Sequence, residues 1–250
     1  VQFAVGDVVI SVNVPDRAAL LAEVGRRFAG GEGFALATLN LDHLVKLRGD
    51  GAFRAAYAAQ DLVTADGNPV VWLSRVAGRA VALVPGADMV VPLARVAAEA
   101  GVGVALVGGR EEVLAVAAER LEAEVPGLRV VCRIAPPMGF DPQSAAAKAV
   151  LRQVADSGAG LCFLALGAPK QEVLAARGRG IAPGVGFAGV GAGLDFIAGA
   201  QVRAPGWVRA VAMEWLWRAA GDPRRLAGRY WRSGVALPGL WWQARRLRKG

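Results

Sequence analysis

Asp66 stands in the run Ala65-Asp66-Gly67-Asn68, directly after a short apolar stretch. If that stretch is a strand, the carboxylate lies at the rim of a cleft, placed to take a proton from a hydroxyl as a general base. An Asp-Gly pair also suits an ordinary turn. Thr38-Leu39-Asn40 closes a second apolar stretch, and Thr38 and Asn40 face the same way if the backbone stays extended. Their hydroxyl and amide groups suit sugar hydroxyls or another amide, and Asn40 equally suits the cap of a following helix. Gly108 and Gly109 end a third stretch just before a helical pattern, where backbone amides could hold a diphosphate at close approach. The pair lacks the spacing of a dinucleotide fingerprint or a P-loop, so a tight turn fits it as well. In Leu166-Gly167-Ala168-Pro169-Lys170-Gln171-Glu172, proline opens a helix whose first turn carries Lys170 and Gln171. These two could meet a nucleotide or its phosphates, or lie on a plain helix surface. Asp195 follows the last apolar stretch, where it either orders a glycine-rich loop or contacts substrate.

The remaining reactive residues narrow the chemistry. His43 is the only histidine, which excludes a multi-histidine metal site and any two-histidine acid–base scheme; by itself it reads as a helix-face residue. No nucleophile elbow, CxxC pair or carboxylate-rich cluster occurs, so neither a metal nor a cofactor is expected. Cys132 and Cys162 each lie in a short apolar run and read as reduced core thiols.

The elements that must position these residues alternate between strand and helix patterns. Strands are expected at 8–12, 34–39, 62–64, 102–107, 129–134, 161–166 and 185–190, almost all apolar, as suits strands buried on both faces. Helices fit between them at 17–28, 53–59, 89–100, 111–124, 143–155 and 170–177, with Asp141 and Pro142 as cap and first turn of the fifth. This is an α/β, Rossmann-like, mostly parallel sheet with helices on both faces. In such sheets ligands bind beyond the carboxyl ends of the strands, which is where the polar runs above fall. After Gly199 the pattern changes to helical pieces at 207–219, 223–231 and 240–247, broken at Gly221-Asp222 and Pro238. Two units are therefore expected: a catalytic α/β domain over 1–199 and a helical appendage over 200–250.

The charge belongs to the appendage. From Arg203 onward eleven Lys and Arg face two acids, a net of +9 within the chain's +8, which leaves the first 202 residues at −1. Six of the seven tryptophans are there too. Tryptophan interleaved with arginine suits an anionic membrane surface, with rings at headgroup level and guanidinium groups on lipid phosphates. Nucleic acid is the competing partner of any basic, aromatic patch. No apolar stretch reaches the roughly 18–20 residues of a membrane span, and no secretory signal opens the sequence.

An ordered set of segments adds to this reading. Thr38-Leu39-Asn40, Ala65-Asp66-Gly67, Pro85-Gly86-Ala87-Asp88, Val107-Gly108-Gly109, Pro136-Pro137-Met138-Gly139-Phe140 and the Leu166 to Glu172 run come first. Gly189-Val190-Gly191 through Asp195, Arg203-Ala204-Pro205, Glu214-Trp215-Leu216-Trp217-Arg218 and Asp222-Pro223-Arg224-Arg225 complete it. In this order they resemble the WecG/TagA/CpsF glycosyltransferases over about residues 34 to 232. The resemblance implies an inverting, metal-independent transferase that takes an N-acetylhexosamine or hexose from a UDP-sugar to a polyprenyl diphosphate-linked saccharide. It implies Asp66 as general base and Thr38, Asn40 and Gln171 as substrate contacts. It also implies an appendage that attaches to the membrane and completes the active site. Where the family often carries an arginine before Pro85-Gly86, this chain has Leu83. Arg218, Arg225 and Arg229, at spacings of seven and four, share a helix face if the break at Asp222-Pro223 preserves the helical direction; with Arg203 they could meet a diphosphate, or they are solvated or lipid-facing.

The expected protein is a peripheral enzyme on the cytoplasmic, inner face of the cell membrane, without a nucleic-acid partner; a homo-oligomer is compatible with the sequence. Two alternatives stay open: a Rossmann-type nucleotide-cofactor enzyme suggested by Gly108-Gly109, and an anionic-surface or nucleic-acid binding module built on the tail.

Overall fold

The computed structural model describes residues 1–202 and 223–248, the side chains of 223–233 excepted. The chain opens with an antiparallel hairpin, β1 (Gln2–Val5) and β2 (Val8–Ser11), turning at Gly6-Asp7. Only the second of these strands is evident in the sequence, because β1 is four residues long and gains its burial from the rest of the fold.

The main sheet has six parallel strands. They are β3 (Phe34–Leu39), β4 (Leu62–Ala65), β5 (Gly103–Gly108), β6 (Val130–Ile134), β7 (Ala159–Ala165) and β8 (Gly186–Gly189), in the order β4-β3-β8-β7-β5-β6. The expected α/β architecture is therefore present, with strand ends shifted by one or two residues. Every residue of β3, β4, β5 and β8 is buried, while the edge strand β6 alternates between half-buried and exposed. Cys132 lies on that edge and is half-buried, unlike the fully buried Cys162, so only one of the two thiols is a core residue.

One face of the sheet is covered by α1 (Arg17–Ala29), α5 (Gly86–Glu99), α6 (Glu111–Glu124) and α9 (Gly193–Ala198), which close over Phe34, Leu36, Leu106 and Phe163. The other is covered by α2 (Leu41–Gly49), α3 (Gly51–Ala58), α4 (Asn68–Val76), α7 (Ala145–Asp156) and α8 (Lys170–Ile181). The helices α4 and α9 are absent from the sequence expectation, and α2 enters it only as the helix that Asn40 could cap. Asn68-Pro69-Val70-Val71-Trp72 is rich in residues that favour strands, and burial of Val70, Val71 and Leu73 under β4 overrides that local preference. The cap of α7 also differs. Ser144 accepts from the Ala147 amide at 3.2 Å, whereas Asp141 turns back on itself to accept from the Gln143 amide at 2.9 Å.

The C-terminal segment forms one helix, α10 (Pro223–Leu247), rather than two pieces broken at Pro238. Proline removes one amide donor and crowds the turn before it. The helix runs through because Ala236, Leu240 and Ala244, spaced four apart on one side, bury themselves against the hairpin, α2 and α4. Gln243 Nε2 adds a hydrogen bond to the Ala4 carbonyl at 3.0 Å. The expected piece 207–219 lies outside the described residues. Among the described residues no helix is long and apolar enough to cross a membrane.

The central strand β8 is held by close backbone approach. A Cβ on Gly186 would meet the buried Phe34 ring at 2.3 Å, so Gly186→Ala lowers the unfolding free energy by about 1–3 kcal/mol in denaturant titrations.

Candidate active site at the carboxyl ends of the sheet

In-register pairing of β3 with β4 sets Thr38 opposite Thr64 and Leu39 opposite Ala65. Asp66 follows one residue later, its amide donating to the Leu39 carbonyl at 2.8 Å. Parallel neighbours point to the same face, so Thr38, Thr64 and Asp66 project together on the α5 side. Thr38 Oγ1 donates to Asp66 Oδ2 at 3.4 Å, which orients a carboxylate that is otherwise half-buried at the rim. Gly67 makes the turn behind it with φ 105°, a conformation that a side chain would strain, and faces the Asn40 side chain.

Asn40 is held in place rather than left loose. Its Oδ1 accepts from the His43 amide at 2.9 Å and so caps α2, while Nδ2 approaches His43 Nε2 at 3.4 Å. The buried Tyr57 hydroxyl donates to the Thr38 carbonyl at 2.9 Å and lies 2.7 Å from His43 Nδ1. A phenol has one hydrogen, so Nδ1 must be the donor to Tyr57 and Nε2 the acceptor from Asn40. Burial, then the charges of Glu172 and Asp66, push the Tyr57 hydroxyl well above its ordinary value and keep it a phenol. His43, expected as an ordinary helix-face residue, is thus buried and ties α2 to α3 beneath the strand end. The sequence offered no sign of Tyr57, because its role depends on α3 folding back under β3.

Two helix starts bound this edge. Gly86, the first residue of α5, sits where a Cβ would meet the Gly189 carbonyl at 2.7 Å and Thr38 Cγ2 at 3.1 Å. Leu83, at the position noted for its missing arginine, bridges in parallel to Ala65 and is exposed. On the opposite face, the buried Gln171 fills the space that a side chain on Gly189 would take and accepts from the Gly191 amide at 3.2 Å. The carbonyl and amide of Gln171 therefore serve the loop after β8, with Nε2 donating to Glu172 Oε1 at 3.0 Å. Glu172 is almost wholly buried, and burial pushes its carboxyl up to about 7. The adjacency of Gln171 and Glu172 was visible in the sequence, but an acid turned inward was not.

The structure brings Thr38, Asn40, Asp66 and Gln171 to neighbouring strand ends, with Lys170 half-buried in the first turn of α8. Other candidates stand apart. Gly108 and Gly109 end β5, three strands from β3, on the order of 14 Å away at ordinary strand spacing. Gly108 is required there because a Cβ would meet the Ala165 carbonyl at 2.5 Å, and the helix that follows begins with Glu111 and Glu112, which already answer its dipole. Asp195 lies in α9, where Oδ2 accepts from Gln201 Nε2 at 2.9 Å. Arg203 and Arg218 lie outside the described residues. Arg225 and Arg229 are carried by α10, and their side chains also lie outside the described residues.

Removing the phenol oxygen in Tyr57→Phe leaves the Thr38 carbonyl and His43 Nδ1 without their buried partner. The expected cost is about 1–3 kcal/mol of stability, measured by denaturant unfolding.

The profile of the "Glycosyl transferase WecG/TagA/CpsF family" matches residues 7–250. A relative from Bacillus spizizenii strain W23, named N-acetylglucosaminyldiphosphoundecaprenol N-acetyl-beta-D-mannosaminyltransferase, is 25% identical over 188 residues, which cover 74% of this chain and 68% of the relative. The match takes in almost the whole α/β body together with the C-terminal segment, which sets the nucleotide-cofactor and simple binding-module alternatives aside: the chain belongs to the WecG/TagA/CpsF family of glycosyltransferases.

Proposed function

We propose that this chain moves a sugar, an N-acetylhexosamine or hexose, from a UDP-sugar to a hydroxyl of a polyprenyl diphosphate-linked saccharide during cell-surface polysaccharide synthesis. The observation that carries this reading is the half-buried Asp66 carboxylate, oriented by Thr38 at the carboxyl edge of a parallel sheet. Family membership supports the transfer, and the name of the Bacillus relative supports the lipid diphosphate acceptor.

In this reaction Asp66 takes the proton of the acceptor hydroxyl while its oxygen forms a bond to the anomeric carbon. The bond from that carbon to the nucleoside diphosphate breaks, and its electron pair leaves with the diphosphate. Attack from the face opposite the leaving group inverts the anomeric centre in one step. The diphosphate charge is met by cationic side chains and backbone amides rather than by a metal ion, with Lys170 and the arginines of the C-terminal segment as the proposed cations. Asn40 and Gln171 act from the cleft walls.

The appendage over 200–250 holds the enzyme to an anionic membrane, which places the proposed work at the inner face of the cell membrane. Trp241 and Trp242 are exposed on α10, and Arg245 and Arg246 stack over them at 5.1 and 3.7 Å from the ring centres. This is a side of the helix that can present rings and guanidinium groups together to lipid headgroups.

Asp66→Asn keeps the shape of the site and removes the base. Sugar transfer to a short-chain prenyl diphosphate saccharide, measured across a panel of UDP-sugars, falls about 100-fold to 10,000-fold; near-normal turnover in the folded variant would remove Asp66 from that role. Trp241→Ala with Trp242→Ala spares the buried stripe of α10 and lowers binding to anionic liposomes by about tenfold or more in sedimentation assays. Unchanged binding would show that the membrane is held elsewhere or not at all.

A further inference from the structure

The polar groups beneath the β8 loop do not balance as they stand. Glu172 Oε1 accepts from Gln171 Nε2, but Oε2 is buried without a partner. Gln60 Oε1 is buried without a partner as well. Neither amide can be turned round to relieve this. Gln60 Nε2 donates to two carbonyls, Ala56 at 2.8 Å and Glu172 at 3.1 Å, so an oxygen in its place would face acceptors only. Gln171 Oε1 accepts from the Gly191 amide, so its Nε2 must be the atom that faces Glu172. Among the described residues, two buried acceptor oxygens on joined residues thus lack a donor, and a charged carboxylate there would have no cation at hydrogen-bond distance. Lys46 reaches Glu172 only through its field, since its ammonium pairs with Asp42 at 2.8 Å. A buried ion without a partner is costly, and a proton on the carboxylate removes that charge.

We propose that Glu172 carries a proton on Oε2 and, as a neutral acid, is a positioning residue that fixes Gln171 and through it the Gly191 amide at the floor of the cleft. This rests on the reading of that edge as the site of sugar transfer. The chain of contacts is short and runs one way: Glu172 Oε1 accepts from Gln171, and Gln171 accepts from Gly191. Gly189 is bare of a side chain where Gln171 crosses it, so nothing but Glu172 and Gly191 sets the orientation of the Gln171 amide. Ionisation of Glu172 leaves the contact with Gln171 in place but adds an uncompensated charge beside it. That charge also reaches Tyr57, which holds the Thr38 carbonyl. The two walls of the cleft are therefore both sensitive to the protonation of one buried acid.

The groups that face Glu172 are few. From α2 there is Lys46 and from α3 Tyr57, the latter under the field of Asp66 as well. His43 of α2, bonded to Tyr57, and Cys162 of β7 are further buried titratable groups on this side of the sheet, and the charged residues of α7, Lys148, Arg152 and Asp156, are exposed. Burial lifts the Glu172 carboxyl to about 7 from 4.5. The folded protein then holds this proton more tightly than the unfolded chain. The contribution to stability is intact at pH 4.5 and below, declines as pH rises from there, and is lost above about 7.

Glu172→Gln tests the idea, because its amide keeps an acceptor oxygen for Gln171 and, like the neutral acid, carries a donor and no charge. The thermal midpoint of the wild type should fall between pH 5 and 8 by more than that of E172Q. An infrared difference spectrum at pH 6 should contain a carboxylic acid band that E172Q lacks. Both readings need no substrate, so they stand or fall apart from the proposed reaction. In the transfer assay, the ratio of kcat/KM at pH 6 to that at pH 8.5 should be about tenfold or more in the wild type and within about twofold of unity in E172Q. If the band is absent, or if E172Q shows the pH dependence of the wild type in midpoint and in transfer, the proposal is overturned. A band with a flattened midpoint profile, but no transfer by either protein with any UDP-sugar, upholds the protonated acid and counts against the proposed function instead.

Discussion

The strand β8 has almost no side chains at its ends, and the site is arranged around that fact. Gly186 gives up its space to the Phe34 ring and Gly189 to Gln171, while Gly86 of α5 settles on the Gly189 carbonyl. Each of these approaches closes to less than 3 Å from where a Cβ would stand, so no larger residue fits without moving backbone or a buried ring. Because β8 lies between β3 and β7, the two helix starts that descend on it, α5 from one face and α8 from the other, arrive at the carboxyl edge beside Thr38 and Asp66. Backbone therefore approaches backbone closely at this edge, and the strand ends that carry the candidate residues have little freedom to move.

Two carboxyl groups at this edge have opposite surroundings. Asp66 is half-buried at the rim and receives the Thr38 hydroxyl. Glu172 is sealed under α8 and raised by burial toward neutrality. Such divergence allows one acid to act as a proposed base while the other serves as a fixed neutral hydrogen-bonding group. The Tyr57 phenol lies within the fields of both, and its bonds to Thr38 and His43 fix the strand end between them.

The C-terminal helix joins this body through a narrow stripe. Ala236, Leu240 and Ala244 enter the same apolar cluster as Phe3, Val5, Leu44 and Val71, so the appendage, the opening hairpin and the helices behind the site share one core. Small residues at two of the three positions let the helix lie close, and the large rings at Trp241 and Trp242 are turned away from that contact. A basic, aromatic surface is thereby mounted on the same rigid assembly that carries Asn40 and Asp66, which would keep an enzyme bound at a lipid surface in a fixed relation to its cleft.

The sequence by itself determined the alternation of strands and helices, the polar runs at the strand ends and the segregation of charge into the tail. Each of these follows from local pattern: continuous apolar runs for buried strands, Pro169 for a helix start, and a count of arginine and tryptophan. Thr38, Asn40 and Asp66 were legible as candidates because each ends or closely follows such a run, and Gln171 because Pro169 marks the helix start that carries it. Tertiary structure alone decided that β8 inserts between β3 and β7, since strand order is set by long-range packing that leaves no trace in a neighbouring residue. It decided that Gly108-Gly109 lies four strands from Asp66, that α10 passes through Pro238 and that the Asn68 segment is helical, because burial against distant elements outweighs local preference. It also turned His43, Tyr57 and Glu172 inward. A polar residue on a helix has no sequence mark of direction until the helix is docked, and only then does burial set which hydrogen-bond partners and which protonation state it can keep.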